Sequence, residues 1–170
     1  MTDWSSELTT HSGFKFRVRT ARPDDEAALH EFFEHVTPED LRFRFLTSVK
    51  EVGHDRLAQM TTVDHRQTES FVALERDDGP IIAAAMLACD AGLETGEVAV
   101  SISAAYKNRG IGWELLRHVT RYAEAKGVTR LQSLESRSNV SAIQLEREMG
   151  FTSRGDATLV LLEKTLASPN

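Results

Sequence analysis

From Phe14 to Arg19 the chain alternates apolar and basic residues: Phe, Lys, Phe, Arg, Val, Arg. A period of two sends alternate side chains to opposite faces, so the spacing predicts a half-buried strand. The period then lengthens. Leu29, Phe32, Phe33 and Val36 form a helical stripe, and Pro23-Asp24-Asp25-Glu26 before it suits a helix start, where proline fits and acids are favoured. Pro38 opens a second short helix reaching Leu46, and a third is predicted over about 54–60. Strands are predicted over 70–75 and 81–89, joined by the turn signal Asp77-Asp78-Gly79-Pro80. Another strand, over 97–103, follows the turn at Thr95-Gly96. A helix begins near Gly110, with Ile111, Leu115, Leu116, Val119 and Tyr122 on one face and Gly127 as its C-cap. Residues 131–135 read as a strand, 140–149 as a helix and 158–162 as a last strand. This order predicts an α/β (α+β) protein, with a mixed sheet carrying helices on both faces.

Nothing in the sequence divides this pattern with a linker, repeat or low-complexity run. Residues 1–13 read as a loose arm, 14–165 as a single domain and 166–170 as a tail. The chain is 41% apolar over 170 residues, enough for a core of its own. A net charge of −6 argues against general nucleic-acid binding, which needs a basic face. The longest apolar stretch, 81–89, is too short to span a bilayer. The polar start of the chain does not resemble a signal peptide, and Cys89, the one cysteine, suits a reducing compartment. These features predict a cytoplasmic protein with no membrane partner. Charge is unevenly spread. Residues 104–130 hold six basic side chains against Glu114 and Glu124, a local +4 that leaves −10 for the remainder.

That basic segment contains the most informative stretch of the chain. A predicted strand runs into Lys107-Asn108-Arg109-Gly110-Ile111-Gly112 and then into an amphipathic helix. Glycines at a helix start let backbone approach a ligand closely. The first N–H groups of a helix lack intrahelical partners, and with the helix dipole they favour an anion such as a pyrophosphate. Lys107 and Arg109 add positive charge. The motif is neither the dinucleotide G-x-G-x-x-G, because Leu115 replaces the third glycine, nor the triphosphate loop, because no Gly-Lys-Ser/Thr follows. A bare strand-to-helix turn would also explain a lone Gly-x-Gly.

Two motifs together favour the ligand. Lys107 to Gly112 resembles the Q/R-x-x-G-x-G/A pyrophosphate signature of the GNAT acetyltransferase superfamily, with lysine at the first position and Ala104-Ala105 where a proline is usual. Asn139-Val-Ser-Ala142-Ile-Gln-Leu145-Glu-Arg-Glu-Met-Gly150-Phe151 resembles that superfamily's second signature, N-x-x-A-x-x-L-Y-x-x-x-G-F. Residues 18–26, 38–45 and 60–65 look like the bacterial protein lysine acetyltransferases, a likeness covering about 14–163. The acyl-CoA synthetase-like domain fused to many of those is missing from this sequence.

The resemblance implies a GNAT fold, its mostly antiparallel sheet splayed at the cofactor cleft. It implies acetyl-CoA as cosubstrate, with no metal. The pantetheine arm would pair with the main chain of Val100, Ser101 and Ile102. The pyrophosphate would sit on the turn from Lys107 and Asn108 through Arg109, Gly110 and Ile111 to Gly112, and Asn139 would bond the pantetheine or phosphate region. The acceptor would be a protein lysine or a small amine. A lysine amine has a pKa near ~10.4 and must lose a proton before it attacks a thioester. The resemblance makes Glu97 the base, in a cleft that could raise its pKa; a solvated acid at a strand edge is the alternative. Where relatives carry a tyrosine that protonates the leaving thiolate, this chain has Glu146, a poor acid at neutral pH unless buried, so water is the expected donor. An acyl-CoA-binding sensor would keep the glycine turn without needing Glu97. Cys89 reads as a core residue, and the six histidines lack metal-ligand spacing. His65, Arg42 and Arg44 could border the acceptor entrance, and Trp113 is expected to pack the helix start.

Overall fold

A computed structural model of the chain describes residues 4–46 and 51–166. Eight strands form one sheet: β1 (Ser6–Thr9), β2 (Lys15–Thr20), β3 (Thr68–Leu74), β4 (Ile81–Cys89), β5 (Thr95–Ile102), β6 (Arg130–Ser136), β7 (Thr152–Gly155) and β8 (Leu159–Thr165). The helices are α1 (Glu26–Glu34), α2 (Pro38–Phe45), α3 (His54–Thr61), α4 (Ile111–Ala125) and α5 (Val140–Glu148). The spatial order is β1-β2-β3-β4-β5-β6-β8-β7, and every neighbouring pair is antiparallel except β5–β6.

Two apolar clusters flank the sheet, as the two helical stripes require. On one face α4 lays Leu115, Val119 and Tyr122 against Phe16, Phe71, Leu87 and Val98. On the other, Leu29, Phe32, Phe33, Leu41, Leu57 and Met60 of α1 to α3 cover Val72, Leu74 and Ile81. Gly127 closes α4 in the left-handed region at φ +85, and the Val128 N–H reaches back to the Ala123 carbonyl at 3.0 Å.

Two strands escaped the pattern reading. Residues 6–9 are not a loose arm: they pair with β2, Leu8 opposite Phe16. Just before them Trp4 sets its ring edge-on to Tyr122 at 5.2 Å, and its carbonyl accepts from His118 Nε2 at 2.9 Å. Four residues of edge strand are too few to display a period, and what holds them is contact with α4, more than a hundred residues away. The other missed strand, β7, is short and largely exposed. It ends at Gly155, where a Cβ would overlap the Leu159 carbonyl oxygen. The tail expected over 166–170 lies outside the described residues except Leu166, which is buried and donates its N–H to the Thr129 carbonyl.

Candidate acyl-transfer cleft

The parallel pair β5–β6 is the source of the site. Its register holds for three residues, Thr95↔Arg130, Gly96↔Leu131 and Glu97↔Gln132, and then the strands part. β5 stays paired with β4 through Ile102. Ser103 donates to the Ile82 carbonyl, so the alternation of an antiparallel ladder turns the main chain of Val98, Val100 and Ile102 away from β4 and toward the gap. Beyond the last paired residue, Glu97, the outward groups of Val100 and Ile102 have no strand to meet. Val100 and Ile102 thus expose main chain as the sequence suggests, whereas the Ser101 main chain faces β4. Ser101 contributes differently: its buried hydroxyl has no hydrogen-bond partner.

The gap opens into a cavity of about 300 Å³. Val98 to Ile102 form one wall, and Ser133, Leu134 and Glu135 of β6 form the other. The turn from Lys107 to Gly112 and the start of α4 close one end, Asn139, Ala142, Leu145 and Glu146 of α5 line the far side, and Asp40, Phe43 and Arg44 of α2 border the remaining flank. Asn108 and Gly110 both take positive φ, +63 and +87, which coils the turn. No carbonyl among the described residues receives the N–H groups of Asn108, Arg109 or Gly110. With the open N–H groups at the start of the 15-residue helix α4, they make a concave set of donors suited to an anion. Gly112 keeps the approach clear: a Cβ there would press on Ile102 at 3.1 Å.

Two side chains expected at the anion are held elsewhere. Lys107 Nζ pairs with Asp40 Oδ2 at 2.7 Å, tying the turn to α2. The Arg109 guanidinium lies over Tyr106 and Phe14, 4.9 and 5.7 Å from the ring centres, and Arg109 does not line the cavity. Stacking on two aromatic rings outcompetes an exposed position over the turn. Asn139 lines the cavity with both side-chain atoms engaged: Oδ1 accepts from the Ala142 N–H at 3.4 Å, capping α5, and Nδ2 donates to Glu135 at 3.1 Å. Trp113 also lines the cavity, so it does more than pack the helix start.

The sequence matches the family model described as "Acetyltransferase (GNAT) family" over residues 26–151. The chain belongs to the GNAT acetyltransferase family. It is 30% identical over 141 residues to an acetyltransferase of Pseudomonas aeruginosa, PA5475, an alignment spanning 82% of this chain and 76% of that protein. The fold resembles the GNAT domain of S. lividans PAT with a TM-score of 0.89 at 24% identity, covering 96% and 97% of the two chains. It also resembles yncA of Salmonella typhimurium, described as a putative acetyltransferase with its cofactor acetyl-CoA, with a TM-score of 0.72 at 21% identity over 89% and 94%. The mixed, mostly antiparallel sheet with its splay is the GNAT architecture.

Three of the charged groups lining the cleft are Glu97, Arg44 and Glu146. Glu97 is exposed and occupies the last paired position before the strands part, lining the cavity. Arg44 stacks over Phe45 at 4.9 Å, and among the described residues its hydrogen-bond contact is Met86 Sδ at 4.0 Å. Burial pulls its pKa down, opposed by Glu97. The third is Glu146, 5% exposed, whose carboxyl is held to about 9 by burial first and then by hydrogen bonding and repulsion from Glu135. Glu135 itself accepts from Ser133 Oγ at 2.8 Å. Burial is the condition under which the sequence allowed this glutamate to stay protonated, and the fold meets it. The signal was present in the sequence: Glu146 stands three residues after Ile143 and three before Met149, on the apolar face of α5. His65 bonds Glu69, which also accepts from Tyr122, and does not line the cleft. Among the described residues no helix is long and apolar enough to cross a membrane, and no group of His, Cys, Asp and Glu could hold a metal ion.

Proposed function

We propose that this protein transfers the acetyl group of acetyl-CoA to the side-chain amine of a protein lysine, by direct attack within the splayed cleft. The observation that carries the donor half is the coincidence of the open N–H groups around Gly110 with the unpaired main chain of β5. One suits a pyrophosphate, and the other suits the amide groups of a pantetheine arm. The resident side chains fit the substrate, since the cavity is mostly apolar between these two polar strips.

The acceptor half rests on shape. On the α1–α3 side of β5, beyond Glu97, Phe33, Met60 and Met86 leave only about 10 Å³, no more than a water needs. Among the described residues a small amine thus finds no enclosed chamber on that side. Glu97, by contrast, is open to solvent, where the long arm of a lysine can reach it from outside. Glu97 takes the proton from the attacking nitrogen, and the nitrogen bonds to the acetyl carbon. In this reading Lys107 orders the turn against α2, and the backbone, with little help from cationic side chains, holds the phosphates.

A screen of lysine-bearing peptides and intact proteins against small amines, with acetyl-CoA as donor, tests the acceptor. Rapid turnover of small amines with every protein left unmodified would overturn it in favour of a small-amine acetyltransferase. Acetyl-CoA binding with no turnover on any acceptor would make the domain a sensor.

A further inference from the structure

We propose that Glu146 is the general acid of this cleft, handing its proton to the coenzyme A sulfur as the thioester breaks. The inference rests on the transfer reading above and supplies its second proton.

Among the described residues, two buried side-chain oxygens have no hydrogen-bond partner: Ser101 Oγ and Glu146 Oε2. Both residues line the same cavity, Ser101 from β5 and Glu146 from α5. An unpartnered buried oxygen costs about 1–3 kcal/mol, and both residues that carry one line this cavity. Glu146 reaches the cavity from α5, and Val98, Val100 and Ile102 reach it from β5. The surroundings keep that carboxyl neutral. Burial comes first, and Glu135 on β6 adds a hydrogen bond and like charge, with Ser133 opposing. Asn139, at the start of α5, secures Glu135 in place. The other charged groups lining the space are Glu97 on β5, Arg44 on α2, and the ion-paired Asp40 and Lys107.

A departing thiolate needs a proton from somewhere. A free thiol has a pKa near ~8.5, so a neutral acid of similar strength transfers its proton with little driving force against it. The electrons and protons balance as follows. The amine nitrogen bonds to the acetyl carbon and loses a proton to Glu97. The carbon–sulfur bond breaks with its electron pair on sulfur, and sulfur takes the proton of Glu146. Amide and thiol leave, and the Glu97 proton and the Glu146 vacancy are reset through solvent.

The test uses the full chain with acetyl-CoA and the best lysine peptide of the acceptor screen, following thiol release across pH. Glu146→Gln keeps the size of the side chain and has no proton to give. Turnover should fall by about 10²- to 10⁴-fold at neutral pH, with calorimetric acetyl-CoA affinity unchanged. The ratio of wild-type to variant turnover cancels the titration of the acceptor amine. It should collapse as pH rises through the titration of Glu146. Glu135→Gln removes two of the causes that hold Glu146 protonated, so the alkaline loss of wild-type advantage should move to lower pH. That shift also decides the matter if Glu146→Gln does not fold. Infrared detection of a protonated carboxyl at neutral pH, absent in Glu146→Gln, reads the acid without any turnover and so stands apart from the role of Glu97. Wild-type turnover in Glu146→Gln, an unmoved alkaline limb in Glu135→Gln, or no protonated carboxyl at neutral pH would each overturn the assignment.

Discussion

Keeping Glu146 protonated should cost the fold stability, and the cost can be worked out. In the unfolded chain the carboxyl titrates near its ordinary 4.5, whereas in the fold it titrates near 9. Below the lower value both states are protonated and nothing is lost. Between the two, unfolding releases a proton, so stability falls as pH rises by about 1.36 kcal/mol per pH unit for this one group. At pH 7, about two and a half units above the ordinary value, the loss is on the order of 3 kcal/mol, a large share of a domain's ~5–15 kcal/mol. Glu146→Gln abolishes it, because an amide is neutral in both states and its N–H can still donate to Glu135. The variant should match wild type near pH 4, exceed it by up to about 3 kcal/mol at pH 7 and gain no more above the folded titration near pH 9. Urea unfolding followed by far-ultraviolet circular dichroism at several pH values measures this difference directly. A stability difference that stays flat from pH 4 to 9 would refute the argument, because it would mean that Glu146 titrates alike in both states. Stabilisation coupled to lost turnover is the trade-off expected of a strained functional group.

Other measurements follow from the same structure. Glu97→Gln should cut turnover at neutral pH by about 10²- to 10⁴-fold and leave acetyl-CoA affinity intact; the defect should shrink as alkaline solvent deprotonates the acceptor, and a pH–rate profile shows whether it does. Gly112→Asp places a carboxylate in the first turn of α4, where acids suit the helix, so the fold should hold while acetyl-CoA binding weakens more than about tenfold by calorimetry. The same substitution at Gly110 is a poorer probe, because its φ of +87 would mix backbone strain into the result, whereas at Gly112 only the Ile102 side chain, 3.1 Å from a new Cβ, must give. Trp4→Ala should lower stability by about 2 kcal/mol in urea titrations, having removed the ring that packs on Tyr122 and anchors the first strand.

What was legible in the sequence was what is local. The α4 stripe, the Gly127 cap and the Asp77-Asp78-Gly79-Pro80 turn each depend on neighbours a few residues away, and the structure places all three where the spacing does. The glycine turn belongs with them, since its donors are backbone groups that need only the right φ at Asn108 and Gly110. Side-chain destinations were not legible. Lys107 and Arg109 looked like two cations aimed at one anion. The fold gives Lys107 a carboxylate from α2 and Arg109 an aromatic shelf that includes Phe14, partners far away in sequence. The Ser101 main chain was misread for a subtler reason: which residues of a strand face the gap depends on the register of β4, and only the paired structure fixes that parity.

The same distinction explains how the cleft arises. A β5–β6 ladder that stayed in register would satisfy the main chain of both strands and leave no room for a substrate. Here the ladder stops after Glu97, and the open backbone beyond it becomes a binding strip, with the carboxylate at the point of divergence. Spreading the strands also admits α5 to the far wall, and its apolar face carries Glu146 inward along with Ile143. The proposed base, donor strip and acid thus all trace to one local failure of strand pairing. They differ in their surroundings: Glu97 is at the exposed rim, where an incoming amine arrives, and Glu146 is buried beside a second carboxylate, where a proton is retained. Two glutamates on one cavity can divide the work because one is open to solvent and the other is sealed from it.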